Sequence, residues 1–180
     1  MKVSKTSLKD LYLIEPVSHK DDRGLFLETF HNEVYKKIIS VQLIQDNFCN
    51  SKKNVLRGMH FTTKPQSQLI TILEGSVFDV FVDLRKDSYS YGKWEGFVLN
   101  SKKVQQIFMP YGFAHGYCVL SDNASLHYKV SKHYNSSEED GFIWNDSSIG
   151  IKWPITNPII SIRDKNLKYF NDIKLCIKID

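Results

Sequence analysis

An all-β fold of the sandwich or barrel kind, most simply a jelly roll, is what this sequence of 180 residues predicts. Three observations predict it. Residues 77–83 (VFDVFVD) alternate, with Phe78, Val80 and Val82 on one face and Val77, Asp79, Phe81 and Asp83 on the other. Five more short apolar segments, 68–73, 94–99, 105–109, 116–120 and 125–130, recur at close spacing. Turn residues separate them: Glu74-Gly75, Asn100-Ser101, Pro110-Tyr111-Gly112 and Ser121-Asp122-Asn123.

Taken in order, the chain opens with a region that has no long apolar run. Asn32 is placed to cap a short helix whose Val34, Tyr35, Ile38 and Ile39 share one side. The strands follow. The two aspartates on one face of 77–83 suggest that this face lines a polar pocket, because a purely structural strand would bury only apolar side chains there. A turn or helix over 164–170 closes the expected fold, giving an all-β domain with small helical additions at the edges and C-terminus.

Composition narrows the function. Hydrophobic residues make up 42% and charged residues 24%, a globular balance that excludes a disordered or fibrous chain. With no repeat or linker, residues 1–180 are expected to form a single domain. Lys and Arg number 24 against 20 Asp and Glu, and this dispersed excess suits a small anionic ligand better than a nucleic acid. Cys49, Cys118 and Cys176 are odd in number and widely spaced, which predicts reduced, mostly buried thiols in the cytoplasm. Residues 1–14 lack an apolar core, and no run approaches the roughly 20 residues of a membrane span, so neither a signal peptide nor a membrane partner is expected.

Three clusters carry chemistry. In Arg57-Gly58-Met59-His60, an Arg and a His flank a Gly; on a regular strand they would lie close but not on one strict face. In Pro110-Tyr111-Gly112-Phe113-Ala114-His115-Gly116, the spacing P-x-G-x-x-H matches the second half of the cupin metal motif. The first half requires H-x-H and a following Glu, whereas His60-Phe61-Thr62 offers one His. Two histidines fall short of the three protein ligands of a usual catalytic metal site, so metal-free work in a cupin barrel is expected. The third cluster interleaves His127, Tyr128 and Lys129 with His133, Tyr134, Glu138, Glu139, Asp140 and then Trp144-Asn145-Asp146. It reads either as an amphipathic strand with a solvated acidic loop or as a Tyr hydroxyl and an aromatic ring facing a planar ligand.

These segments together resemble the dTDP-4-dehydrorhamnose 3,5-epimerase family. The resemblance is carried by 21–28 (DDRGLFLE), 45–47 (QDN), 55–61 (VLRGMHF), 75–85 (GSVFDVFVDLR), 110–116 (PYGFAHG), 128–129 (YK), 144–146 (WND) and 151–154 (IKWP). It implies a cupin-type jelly-roll β-barrel that forms a homodimer. The implied activity is cofactor-independent epimerisation of a nucleoside-diphosphate 4-keto-6-deoxy sugar, with dTDP-4-dehydro-6-deoxy-D-glucose leading, on the way to a cell-surface polysaccharide. Carried over by motif, His60 is the general base, Asp164 its orienting carboxylate, and Tyr128 the acid on the opposite face. Arg23, Arg57 and Arg163 meet diphosphate or sugar oxygens. Glu28, Gln45, Asn47 and Glu139 match nucleotide-contacting positions, Tyr134 the ring that stacks on the base, and His115 a sugar-pocket residue.

The chain departs from the family at Gln68, where a Lys is usual. A neutral donor stabilises an enolate oxygen less than a cation does, by about 1–2 kcal/mol or roughly tenfold in rate. Inversion at one carbon only, on a GDP- or CDP-linked sugar, is therefore an open alternative, as is Lys64 as substitute donor. A 3,4-ketoisomerase would need a proton shuttle on one face only, which Tyr128 opposes. A non-catalytic binding cupin would not be expected to keep His60, Tyr128 and Asp164 together, and a metal-dependent dioxygenase would need ligands this motif lacks.

Overall fold

A computed structural model describes residues 1–173. The elements in chain order are β1 (Lys2–Lys5), β2 (Tyr12–Glu15), β3 (Ser18–Asp21), β4 (Gly24–Leu27), α1 (Asn32–Tyr35), β5 (Gln45–Lys52), β6 (Leu56–Thr62) and β7 (Gln68–Glu74). They continue as β8 (Ser76–Asp83), β9 (Trp94–Asn100), β10 (Gln106–Met109), β11 (Phe113–Val119), β12 (Asn123–Val130), β13 (Glu139–Gly141) and α2 (Ile162–Lys165), with single 3-10 turns at Ser136–Glu138 and Phe170–Asp172.

One sheet has the order β1-β2-β10-β7-β12-β5 and the other β13-β6-β11-β8-β9, while β3 and β4 form a separate hairpin. The neighbours within each sheet are antiparallel. This is the expected all-β jelly roll, and each of the six sequence-predicted segments overlaps a strand. Two adjacent strands, β7 and β8, lie in different sheets, and Gly75 makes the corner between them. Its φ of +73° and a built Cβ only 2.0 Å from the Asn123 carbonyl oxygen leave room for no other residue.

The alternation in β8 holds, but both of its faces are buried. Val77 and Phe81 face the first sheet, packing with Ile70, Ile72, Ile107 and Leu126. Val80 and Val82 face outward, where Phe142, Ile149 and Phe170 from the C-terminal segment cover them together with Met59 and Phe61. A third cluster seats Tyr35 and Ile39 on the outer face of the six-stranded sheet against Ile14, Leu69 and Phe108. The apolar side of α1 is thus as predicted. Its N-cap is His31 rather than Asn32, and no side-chain bond caps it.

The face of β8 that carries Asp79 and Asp83 does not line the pocket with either carboxylate, contrary to expectation. Both are fully buried. Asp83 pairs with Arg85 (2.8 Å) and accepts from the Ser88 and Ser90 hydroxyls (2.6 Å each), while Arg85 reaches on to Asp10 (3.1 Å). This network ties the N-terminal loop to the loop after β8. Cys118 is buried and Cys49 half-buried, both as free thiols, and Cys176 lies outside the described residues. Among the described residues, no helix is long and apolar enough to cross a membrane.

Candidate active site

The open end of the barrel holds a cleft of about 440 Å³ between the two sheets, within the range of small-molecule sites. The five-stranded sheet contributes Arg57, His60 and His115 to its wall, and the six-stranded sheet contributes Asn47, Cys49, Gln68 and Tyr128. Tyr134, Glu138, Glu139 and Arg163 close its rim.

Arg57 and His60 both reach the cleft because β6 is not regular between them. The pairing of β11 with β6 puts His115 opposite His60 and Tyr117 opposite Arg57, with a register shift between. Two steps along β11 thus span three along β6, a bulge that restores one face to residues three apart. Gly58 sits at the bulge with φ +118°, and a Cβ there would lie 2.6 Å from the Gly116 Cα.

His60 Nε2 lies 2.8 Å from Asp164 Oδ1. Ser161 caps α2, accepting from the Asp164 backbone N–H (3.0 Å), and so aims the carboxylate at β6. Asp164 Oδ2 accepts from the Gly58 N–H at 3.3 Å. Burial pushes the Asp164 carboxyl up. The hydrogen bond and charge of His60, with help from Gly58 and Ser161, outweigh it and hold Asp164 below the usual carboxylate value. An ionised Asp164 accepts the Nε2–H, which leaves Nδ1 of a neutral His60 as a proton acceptor.

Tyr128 stands on the facing sheet. Burial raises its hydroxyl above the ordinary tyrosine value, the neighbouring Cys49 and Glu139 add to the rise, and Arg57 opposes it. It therefore stays protonated through neutral pH. Cys49, Tyr117, Ser51 and Arg57 form a chain beside it: Tyr117 Oη is 3.1 Å from Cys49 Sγ and 3.2 Å from Ser51 Oγ, which accepts from Arg57 Nε at 3.1 Å.

At the rim, Arg163 pairs with Glu139 at 2.6 Å, and Tyr134 offers an exposed ring beside them. Gln45 is a brace rather than a lining residue. Its Nε2 donates to Asn47 Oδ1 (2.8 Å) and its Oε1 accepts from the Tyr134 backbone (3.0 Å). His115 Nε2 meets Asp79 Oδ1 at 2.6 Å, and its ring stacks on Phe81 at 5.0 Å. Lys64 is exposed and outside the cleft lining, so it does not fill the place of Gln68.

His60, Tyr128, Asn47, Arg57, Gln68, His115, Tyr134, Glu139 and Arg163 are thus gathered at one cleft, with Asp164 behind His60 and Gln45 behind Asn47. Arg23 and Glu28 are not. Arg23 is exposed near the tip of the β3–β4 hairpin, paired with Asp21 at 2.6 Å, and Glu28 borders a separate groove with His19, Phe26 and His31. Among the described residues the hairpin pairs with neither main sheet, which is why it carries these two side chains away. Sequence reasoning missed Cys49, Ser51 and Tyr117. Asp79 had a signal in the β8 alternation, but its role as the partner of His115 needed the fold. The acidic cluster is not a solvated loop: Glu138 and Glu139 face the cleft, while Asp146 accepts from the Phe170 N–H (2.6 Å) and pins the C-terminal segment.

Each Nε2 of His60 and His115 is turned to a carboxylate of its own, and among the described residues no three His, Cys, Asp or Glu side chains converge on one point.

Comparison with known proteins agrees with this geometry. A family model described as dTDP-4-dehydrorhamnose 3,5-epimerase matches residues 5–172. The chain is 43% identical to the enzyme of that name from Shigella flexneri, over 96% of this chain and 97% of the relative. It is 42% identical to that from Escherichia coli K12, over 93% of each. A crystal structure of dTDP-6-deoxy-D-glucose-3,5-epimerase from Legionella pneumophila, in complex with dTDP-4-keto-L-rhamnose, superposes with a TM-score of 0.92 at 36% identity, covering 96% of this chain and 94% of that one. A match over nearly the whole described chain, on a jelly roll with a facing His and Tyr, establishes that this protein belongs to the dTDP-4-dehydrorhamnose 3,5-epimerase family and is an isomerase of the carbohydrate epimerase class.

Proposed function

We propose that the protein inverts dTDP-4-dehydro-6-deoxy-D-glucose at C3 and C5 without a cofactor. The observation that carries this reading is the placement of His60 and Tyr128 on facing walls of one cleft. Inversion needs proton removal on one face of the ring and delivery on the other. A C–H beside the C4 ketone is acidic enough for a histidine base once the enolate is stabilised, because the ketone itself is the electron sink. Nδ1 of His60 takes the proton, and Asp164 holds the tautomer and balances the imidazolium, as in hydrolase triads. Tyr128, protonated through neutral pH, returns a proton from the far wall.

The diphosphate suits Arg57 and Arg163, whose planar guanidinium groups pair with phosphate oxygens in bidentate fashion. Tyr134 offers its exposed ring to the base, with Asn47, Gln45 and Glu139 beside it. We further propose a cytoplasmic homodimer. The hairpin supports it: Phe26 is 68% exposed at its end, and Arg23 and Glu28 have no access to the cleft of their own chain. Sedimentation at micromolar concentration should give twice the 20.9 kDa mass, and a monomer would remove this part of the reading.

The test is NMR of dTDP-4-keto-6-deoxyglucose incubated with the protein in D2O. Deuterium at C3 and C5 with a new product is expected, and EDTA should leave the rate unchanged. Exchange at one carbon assigns a single-site epimerase, and no exchange moves the search to CDP- and GDP-linked keto sugars.

A further inference from the structure

Arg57 and Arg163 both line the cleft, but they are held differently. Arg163 gives an Nη1–H to Glu139 at 2.6 Å, so a phosphate must compete with a carboxylate for it. Arg57 gives its Nε–H to Ser51 Oγ at 3.1 Å, and its two Nη groups make no hydrogen bond among the described residues. A guanidinium held at Nε keeps its end-on Nη1–Nη2 fork for a bidentate phosphate.

We infer that Tyr117 is a positioning residue for substrate binding: its buried hydroxyl fixes Ser51, and Ser51 fixes Arg57 against the diphosphate. The inference rests on the epimerase reading, which supplies the diphosphate, and adds residues to which that reading gives no part. The direction of the hydrogen bonds follows from Arg57. A guanidinium donates and cannot accept, so Ser51 Oγ accepts from Nε. Ser51 is 4% exposed, and its other side-chain partner among the described residues is Tyr117 Oη at 3.2 Å. The Ser51 proton therefore goes to Tyr117. Tyr117 is 5% exposed, and its remaining partner is Cys49 Sγ at 3.1 Å, so its own proton goes there.

The chain thus runs one way, from Arg57 to Ser51 to Tyr117 to Cys49, and each link crosses between the sheets. Arg57 and Tyr117 are cross-strand partners on β6 and β11, whereas Ser51 and Cys49 lie two apart on β5 of the facing sheet. Each dipole in that order turns its negative end toward the guanidinium, so the bonds reinforce one another. Burial pushes the Tyr117 hydroxyl well above the ordinary tyrosine value, and the neighbouring Cys49 adds to the rise. Tyr117 therefore keeps the proton that this order requires. Removal of its oxygen breaks the chain at the centre. Ser51 then holds a buried proton without an acceptor and turns to find one, and Arg57 loses a fixed acceptor at Nε. A released arginine has to be ordered again by the ligand, which weakens binding and leaves the reacting carbons untouched.

The experiment measures the Kd for dTDP by calorimetry, and kcat and KM for dTDP-4-keto-6-deoxyglucose, in wild type, Tyr117→Phe, Ser51→Ala and the double variant. Tyr117→Phe should raise Kd and KM about three- to tenfold with kcat within about twofold. The double variant should bind no more weakly than Ser51→Ala, because the two residues act in series. Additive losses in the double variant would make Tyr117 a direct ligand contact and overturn the inference. A fall in kcat at unchanged KM would overturn it too, by placing the hydroxyl at the reacting sugar, and so would an unchanged Kd in Tyr117→Phe. Should Ser51→Ala fail to fold, Tyr117→Phe decides alone by its KM and kcat. A wild type that binds dTDP but exchanges no deuterium from D2O sinks the epimerase reading and leaves the dTDP measurements to decide this inference. One that does not bind dTDP sinks both.

Discussion

His60 can take a proton only through Nδ1, because Asp164 occupies Nε2 at 2.8 Å. His60→Ala should therefore abolish deuterium exchange at every carbon while dTDP binding, read by calorimetry, survives; retained exchange would remove His60 from the base role. Asp164→Asn keeps the shape of the carboxylate but can present its amide to Nε2 and favour the wrong tautomer. A fall of about 10²–10⁴ in kcat is expected, by analogy with hydrolase triads. Tyr128→Phe should damage product formation more than exchange, since a base alone can remove and return a proton on one face. Equal losses would give the hydroxyl another role. Because burial holds the Tyr128 hydroxyl above its ordinary value of 10.0, its ionisation should not limit the wild-type rate until pH rises beyond that value. His60 and Tyr128 were legible in the sequence because their short motifs survive as motifs. Cys49 and Tyr117 were not, since nothing local distinguishes a residue lining a cleft from one packed in a core.

The strand β6 brings Arg57 and His60 onto one wall through a bulge that strict alternation would not allow. Gly58 permits that bulge, and its neighbours leave no space: a Cβ would meet the Gly116 Cα at 2.6 Å and the His115 carbonyl oxygen at 2.8 Å. Gly58→Ala should cost about 1–3 kcal/mol through its left-handed φ alone. It should also reduce kcat, because the shift needed to relieve the contact moves both histidines' strands. Thermal melting and D2O exchange together check this, and an unchanged melting temperature with wild-type exchange would contradict it. The sequence reading placed Gly58 in the motif but not in a bulge, because the extra residue is visible only when the partner strand is known. The short helix α1 was predicted from its apolar side, and that side does pack on Ile14, Leu69 and Phe108. Its boundary moved by one residue, since helix ends answer to local hydrogen bonds more than to periodicity.

Across the molecule, the buried Asp83–Arg85 pair joins the N-terminal loop at Asp10 to the loop after β8. Its side chains are 0% and 4% exposed. Asp83→Asn would leave the Arg85 charge buried without its main partner, and a loss of about 3–5 kcal/mol is expected in urea unfolding. Burial pushes the Asp83 carboxyl up, but Arg85, Ser88 and Ser90 together hold it below the usual value. Asp146 and Asp164 are likewise held below it. A lowered folded value means stabilisation that is fully present above the unfolded value near 3.8 and lost as pH falls through the folded values. The melting temperature should therefore be flat above about pH 5 and decline below about pH 4. A decline beginning near pH 6 would instead assign the effect to histidines.

Hydrophobic alternation and turn residues settled the class of fold from the chain alone, because both are local properties that tertiary context seldom reverses in strands so regularly spaced. The family resemblance, carried by short motifs, likewise singled out His60, Tyr128 and Asp164, which are far apart in sequence. What they face was decided only by the closure of two sheets, which sets His60 and Tyr128 on opposite walls. The same closure buries both faces of β8, turning Asp79 from a candidate lining residue into the support of His115. It also leaves Arg23 and Glu28 on a hairpin outside their own cleft. Local patterns encode which residues belong to a strand and on which side. Which surfaces then meet depends on non-local packing, and that is written in no single segment.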